Sequence, residues 1–152
     1  MKLAQTKNEL DAVLNGLDYE AFISNDPIRI PKRFTQQQDI EIASFFACIL
    51  AWGQRVTIIN NTNKLMHWMG EEPYRFILEH SDKDLKPFEK FVHRTFNATD
   101  CLYFIAALKH IYSDVDSLEC YFIGKPIAAS LSAFKQVFFS LPYAPVRTHK
   151  HL

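Results

Sequence analysis

Apolar residues recur along this chain at the three- and four-residue spacing of a helix face, and candidate starts and stops fall between them. Thr6-x-x-Glu9 has the form of a capping box, in which a hydroxyl accepts an orphan N–H and the glutamate reaches back. Leu10, Val13 and Leu14 follow at helical spacing, and Gly16 supplies a stop. A short helix is expected over residues 19–24. Two prolines between Asn25 and Pro31 remove donors and fix φ, which excludes regular helix there. Thr35-x-x-Gln38 repeats the capping form and opens the most apolar element. Its Ile40, Ile42, Phe45, Phe46, Cys48, Ile49, Leu50 and Trp52 lie on nearly every side of a helix, a pattern that belongs in the middle of a bundle.

Gly53 interrupts that run. Val56, Ile59, Met66 and Met69 then mark an amphipathic helix ending at Gly70, with Asn60, Asn61, Asn63, Lys64 and His67 on its polar face. Pro73 fits the first turn of a short helix through Phe76, Ile77 and Leu78. Residues 81–87 are polar and broken by proline. Asn97 or Thr99 caps the next helix, which carries Asp100 in its first turn and Lys109 and His110 toward its end, as the macrodipole prefers. Its expected buried stripe is Leu102, Ile105, Leu108 and Tyr112. Ser117-Leu118-Glu119 starts a short helix closed by Gly124. Pro126 opens the last one, where Ile127, Leu131, Phe134, Phe138 and Leu141 repeat. No alternating segment long enough for a useful strand is present. The expectation is an all-α chain: a single compact helical bundle over residues 1–141, followed at 142–152 by an extended basic tail with no core of its own. Such a tail is expected either to hang free or to continue into a longer protein.

Composition narrows this picture. A chain of 152 residues suits one domain and buries enough surface to stand without disulfides or a structural metal. Thirteen phenylalanines predict a core of interlocking rings. Seventeen basic residues balance seventeen acidic ones, which weighs against a protein that wraps polyanions but leaves room for a local patch. Cys48, Cys101 and Cys120 form an odd, scattered set that reads as reduced thiols. The longest apolar run, Ala43 to Trp52, falls short of the roughly 20 residues that span a bilayer, and no signal-peptide core follows Met1. The expected compartment is the cytoplasm, with no membrane partner.

Candidate chemistry is sparse. The histidines His67, His80, His93, His110, His149 and His151 are spread out and match no metal-binding spacing, so neither metal nor cofactor is expected. Cys48, inside the most apolar helix, is expected to be a buried, inert thiol. Nucleophile-elbow, phosphate-loop and dinucleotide signatures are absent, and no catalytic residue is assigned. Asp39 with Glu41, and Glu71 with Glu72, read as solvated pairs.

The corner Ala51-Trp52-Gly53-Gln54-Arg55 is different. A buried helix stops, the chain turns, and a glutamine and a guanidinium precede a new helix whose free N–H groups and dipole suit a phosphate. Glutamine can also hydrogen-bond or wedge at base edges. The alternative is that Gln54 and Arg55 simply solvate a tight turn. Lys32 with Arg33, Arg94 beside His93, and Arg147 with Lys150 are the candidates to extend a basic rim.

The run from Asp39 to Val56, followed by Asn60-Asn61-Thr62-Asn63-Lys64-Leu65, resembles the opening helix pair of the helix-hairpin-helix DNA glycosylase superfamily. There an apolar helix ends in a short Gln-bearing segment that contacts DNA. Trp52-Gly53-Gln54-Arg55, Pro73-Tyr74-Arg75-Phe76-Ile77, His93-Arg94-Thr95-Phe96-Asn97 and the terminal Arg147-Thr148-His149-Lys150-His151-Leu152 resemble an uncharacterised bacterial family, domain of unknown function 2400. That resemblance implies that this chain corresponds to the N-terminal part of longer relatives, whose added portion carries an Asp-bearing stretch similar to the glycosylase motif. The glycosylase Leu-Pro-Gly-x-Gly hairpin and catalytic Asp are missing; Phe122-Ile123-Gly124-Lys125-Pro126 is not that hairpin. Gln54 and Arg55 therefore carry over as DNA contacts and no catalytic residue does. The function implied is that of a helical, DNA-associated protein that does not excise bases. The alternative is a module for protein–protein interaction, with itself or with a missing C-terminal segment, and no nucleic-acid role. A third possibility, a small-molecule enzyme, would need at least three of the histidines in one pocket.

Overall fold

The computed structural model describes residues 2–152, with side chains from Leu3 onward. In chain order it contains α1 (Lys2–Asn15), α2 (Tyr19–Ser24), 3-10 turns at Pro27–Arg29 and Pro31–Arg33, α3 (Gln37–Ile49), α4 (Arg55–Trp68) and α5 (Pro73–Glu79). A 3-10 turn at Lys86–Lys90 leads into a minimal hairpin of β1 (Val92–His93) and β2 (Phe96–Asn97), pairing Val92 with Asn97 and His93 with Phe96. Then come α6 (Ala98–Asp114), a 3-10 turn at Leu118–Tyr121, α7 (Ile127–Phe138) and a last 3-10 turn at Val146–His151. The fold is helical, as the periodicity predicts, apart from that two-residue ladder.

Two expected helix starts move. α1 is already helical at Lys2, so Thr6 lies inside it, because Leu3-Ala4-Gln5 are good helix formers and nothing halts them. α3 begins at Gln37 and not behind Thr35, because the Gln38 amide is committed elsewhere: it donates to the Asp116 carbonyl at 2.8 Å and cannot close a box. The capping box that does form is at α6. The Asn97 side chain accepts the Thr99 and Asp100 amides, and Asp100 takes the Asn97 amide at 2.9 Å.

The centre of the bundle is α6, not α3. Cys101, Tyr103, Phe104, Ile105, Ala107, Leu108, Ile111 and Tyr112 are all buried, on most sides of the helix. α3 buries Ile42, Ala43, Phe46 and Ala47 but leaves Ile40, Glu41, Ser44, Phe45, Cys48 and Ile49 exposed or half covered. Cys48 is thus an exposed thiol, against expectation, since α7 packs over α6 and leaves this flank of α3 uncovered. The α7 stripe divides in the same way: Phe134 and Phe138 are buried, whereas Ile127 and Leu131 are exposed. On α4, Val56 is exposed and the inward face is Ile58, Thr62, Leu65 and Met66.

The rings interlock as the phenylalanine content predicts. Phe104 meets Phe138 edge-on at 4.8 Å and Phe96 at 5.1 Å, and Phe45 leans on Phe104 at 5.6 Å. Each such pair adds about 0.5–1.5 kcal/mol beyond the area it hides.

Carboxylates expected on the surface work as joints. Asp39 is buried and accepts the Tyr74 amide at 2.8 Å, capping α5 from another helix, where no side chain of α5's own start does so. Glu41 accepts from the Tyr112 hydroxyl at 2.8 Å, the Ser117 hydroxyl at 2.5 Å and the Leu118 amide at 2.9 Å. Burial is the largest single influence on Glu41 and pushes its pKa up, but those bonds together with Gln37 outweigh it and leave the carboxyl below its ordinary value. Glu71 and Glu72 do lie at the surface, paired with Arg33 and Arg75.

The C-terminal segment is not extended. Its 3-10 turn is pinned by Thr148, fully buried, whose hydroxyl donates to Asp100 at 2.7 Å. His149 stacks on Phe139 with ring centres 3.9 Å apart, and Lys135 of α7 donates to the His149 and Leu152 carbonyls. His151 is wedged between Phe96 and Trp52. The aromatic and hydroxyl side chains of this segment find partners that its proline-bearing, basic composition does not reveal.

Candidate nucleic-acid interface

The α3–α4 corner is built from three segments. α3 ends at Ile49, and the Trp52 indole donates back to the Ile49 carbonyl at 2.9 Å. Gly53 follows with φ of +127°, a conformation that a side chain resists. A Cβ there would also press within 3.3–3.4 Å of the Arg94 side chain. Gln54 then occupies the cap position of α4 in extended geometry and Arg55 its first turn; both are exposed.

His93 locks this corner from beneath. The buried ring takes the Asn61 amide on Nδ1 at 2.8 Å and sits with Nε2 3.3 Å from the Trp52 carbonyl. With Nδ1 facing the Asn61 amide and Nε2 facing the Trp52 carbonyl, both ring nitrogens have a polar partner. The residue that connects the hairpin to both helices is one that composition alone would leave as a scattered histidine.

Arg94 stands at the hairpin tip, in the left-handed region at φ of +55°, with its guanidinium over the Trp52 ring at 5.2 Å. This cation–π contact holds the charge flat against the corner. Arg147 donates to the Thr95 carbonyl of the same tip at 3.0 Å and approaches Asp100 at 3.4 Å. Lys150 is exposed and borders a hollow of about 530 Å³ shared with Trp52, Thr95, His151 and Leu152. On the other side of Gly53, Arg55 borders a mostly apolar hollow of about 480 Å³ with Pro27, Ile28, Ala47 and Cys48.

The structure therefore gathers Gln54, Arg55, Arg94, Arg147 and Lys150 around one junction. Lys32 and Arg33 do not join them. Arg33 pairs with Glu71 at 3.0 Å, beyond the C-terminal end of α4, at the opposite end of the α3–α4 pair; Lys32 is exposed beside it. Arg94 and Arg147 are engaged by the protein, whereas Arg55 has no hydrogen bond or ion pair among the described residues. Among the described residues no group of three or more His, Cys, Asp or Glu side chains is placed to hold a metal ion. Among the described residues no helix is long and apolar enough to cross a membrane.

The fold and the corner define a mostly helical protein with a cationic rim at a helix–helix junction. Residues 26–152 match the family described as Protein of unknown function (DUF2400), and the chain belongs to that family. Neither a curated protein nor a solved structure gives a match.

Proposed function

We propose that this chain contacts nucleic acid through the rim around Gly53, reading backbone and not sequence. The observation that carries the reading is the convergence of side chains from the start of α4, the β-hairpin tip and the C-terminal 3-10 turn on one junction, with Arg55 unpaired among the described residues at the open end of a 14-residue helix. Free N–H groups, the helix dipole and a guanidinium together suit a phosphate oxygen. Arg94, flattened on Trp52, presents a second charge at low entropic cost. Gln54, beside Arg55 at the cap of α4, is exposed and supplies amide donors toward a phosphate oxygen. The resemblance of residues 39–65 to the first helix pair of helix-hairpin-helix glycosylases supports the same assignment. No residue here is given a catalytic role, and base excision is not part of the proposal.

The test is fluorescence anisotropy with a labelled DNA duplex across a salt series. Each phosphate contact steepens the dependence of log K on log salt by roughly 0.9. Arg55→Ala with Lys150→Ala is expected to weaken binding and flatten that slope by roughly two contacts. Lys32→Ala, at the far end of the α3–α4 pair, is expected to change little. Absence of binding by the unaltered chain at low salt, or equal slopes for it and the double variant, overturns the proposal.

A further inference from the structure

We propose that the hollow between the Ser24–Arg29 segment and the first turns of α4 is a binding site for a phosphate monoester, held by the guanidiniums of Arg29 and Arg55. The hollow measures about 410 Å³. Arg29 and Arg55 both border it, from separate elements: the 3-10 turn Pro27–Arg29 and the start of α4. Asn25 and Asn60 border it with them.

Local sequence builds this arrangement. Pro27 opens the 3-10 turn, and the Asp26 side chain caps it by accepting the Ile28 amide at 3.0 Å. The turn packs on α4. Arg29 then reaches back and donates to the Ser24 carbonyl, at the end of α2, at 2.8 Å. That bond orients its fork, whose other N–H groups have no partner among the described residues. Across the hollow, Val56, Ile59 and Asn60 follow Arg55 on one face of α4, at i, i+3 and i+4. The Asn60 side-chain amide is likewise without a partner among the described residues.

Charge selects the ligand. Two guanidiniums share the hollow, neither has an ion pair, and no Asp or Glu is among the described residues that border it. Asp26 borders the neighbouring hollow and is occupied with the Ile28 amide. Like charges facing one space repel each other, and an anion between them relieves that repulsion. Guanidinium forks take phosphate oxygens in pairs, and the Asn60 amide adds a neutral donor. A diester carries a single negative charge. A monoester carries about 1.5 to 2 near neutral pH, which matches the two guanidiniums. The volume falls within the roughly 300–1,000 Å³ of small-molecule sites, so the group that bears the phosphate fits as well, against Val56 and Ile59.

The monoester can belong to a small molecule or to the end of a nucleic-acid strand, since the recognition chemistry is the same. The site shares Arg55 with the rim around Gly53 but does not rest on that reading, because Arg29 takes no part in the rim.

Heteronuclear NMR of the full chain, titrated with phenyl phosphate, tests the site. Saturable shifts are expected at the Arg29 and Arg55 side-chain N–H signals and at the Asn60 amide. Methyl phenyl phosphate, the matching diester, should bind far more weakly. Arg29→Ala and Asn60→Asp should each weaken phenyl phosphate binding by roughly tenfold or more, and Lys32→Ala should not. Asn60→Asp leaves the bond from Arg29 to Ser24 in place, so its effect separates lost recognition from a loosened turn. Fluorescence anisotropy with a duplex bearing or lacking terminal phosphates then identifies the source. Tighter binding of the phosphorylated duplex, abolished by Arg29→Ala, assigns the strand end; equal binding of the two assigns the small molecule. No saturable shift with phenyl phosphate, shifts indifferent to both Arg29→Ala and Asn60→Asp, or equal affinity for the diester overturns the proposal. The unphosphorylated duplex reports on the rim alone, so either reading can fail while the other stands.

Discussion

Asp100 is the side chain on which removal should cost most. It is completely buried at the start of α6, and its two oxygens hold the Thr148 hydroxyl at 2.7 Å, the Asn97 amide at 2.9 Å and the Arg147 guanidinium at 3.4 Å. Asp100→Ala opens the capping box, worth about 1 kcal/mol. It also strands the buried Thr148 hydroxyl, worth about 1–3 kcal/mol. Arg147 is half exposed, so solvent screening holds its pair to at most about 1 kcal/mol. Together these come to about 2–5 kcal/mol, which spans the range of about 3–5 kcal/mol seen when one partner of a buried charged network is removed. Urea unfolding followed by circular dichroism measures it, with Arg147→Ala as a comparator costing under about 1 kcal/mol. Thr148→Val probes the hydroxyl separately, and because both changes break one bond, the double variant should fall short of additivity by about 1 kcal/mol. An Asp100→Ala cost below about 1 kcal/mol, or strict additivity with Thr148→Val, refutes the idea that this carboxylate fastens the C-terminal turn to α6.

Acid should destabilise the protein in two stages. Burial lowers the His151 pKa from 6.5, with Lys150 and Arg147 adding to it and Asp100 and the Thr95 backbone opposing it. The unfolded chain then takes up that proton first, so stability falls as pH drops below about 6.5. Glu41, also lowered in the fold, adds a second loss below about 4.5, as its bonds to Ser117, Leu118 and Tyr112 are forfeited. Thermal melts across pH 3–8 check both, and His151→Phe should flatten the upper stage only. Thiol titration gives a third check: Cys48 and Cys120 are exposed and should react in the native state, whereas Cys101, enclosed in α6 and pushed well up by burial and by Asp100, should react only on unfolding. A native Cys101 that reacts as fast as Cys48 would contradict the packing of α6.

Periodicity revealed which segments are helical, and the punctuation by Pro73, Gly70, Asn97 and Pro126 placed their ends to within a few residues. It did not reveal which helix lies in the middle. α3 and α6 are both apolar on most sides, yet α5, the Lys86–Lys90 turn, β2 and α7 pack around α6 while one flank of α3 stays open. Asp39 and Glu41 show a second limit of local reading. A carboxylate two residues from another looks solvated until the partners arrive from Tyr74, Tyr112 and Ser117, dozens of positions away. Of the candidate site, Gln54, Arg55, Arg94, Arg147 and Lys150 were legible as residue types, but their grouping depended on a hairpin too short to leave an alternating pattern. His93 and Asn61, which brace the corner, left no signal in spacing at all.

The first turns of α3 tie the start of α5 and the Leu118 turn to one rod. Asp39 restrains the start of α5 on one flank, and Glu41 restrains the Leu118 turn on the other. Fraying of that rod at its amino end would release both at once. Amide exchange at Tyr74 and at Leu118 should therefore share a single opening event, and a ligand that stiffens the beginning of α3 would quieten both together.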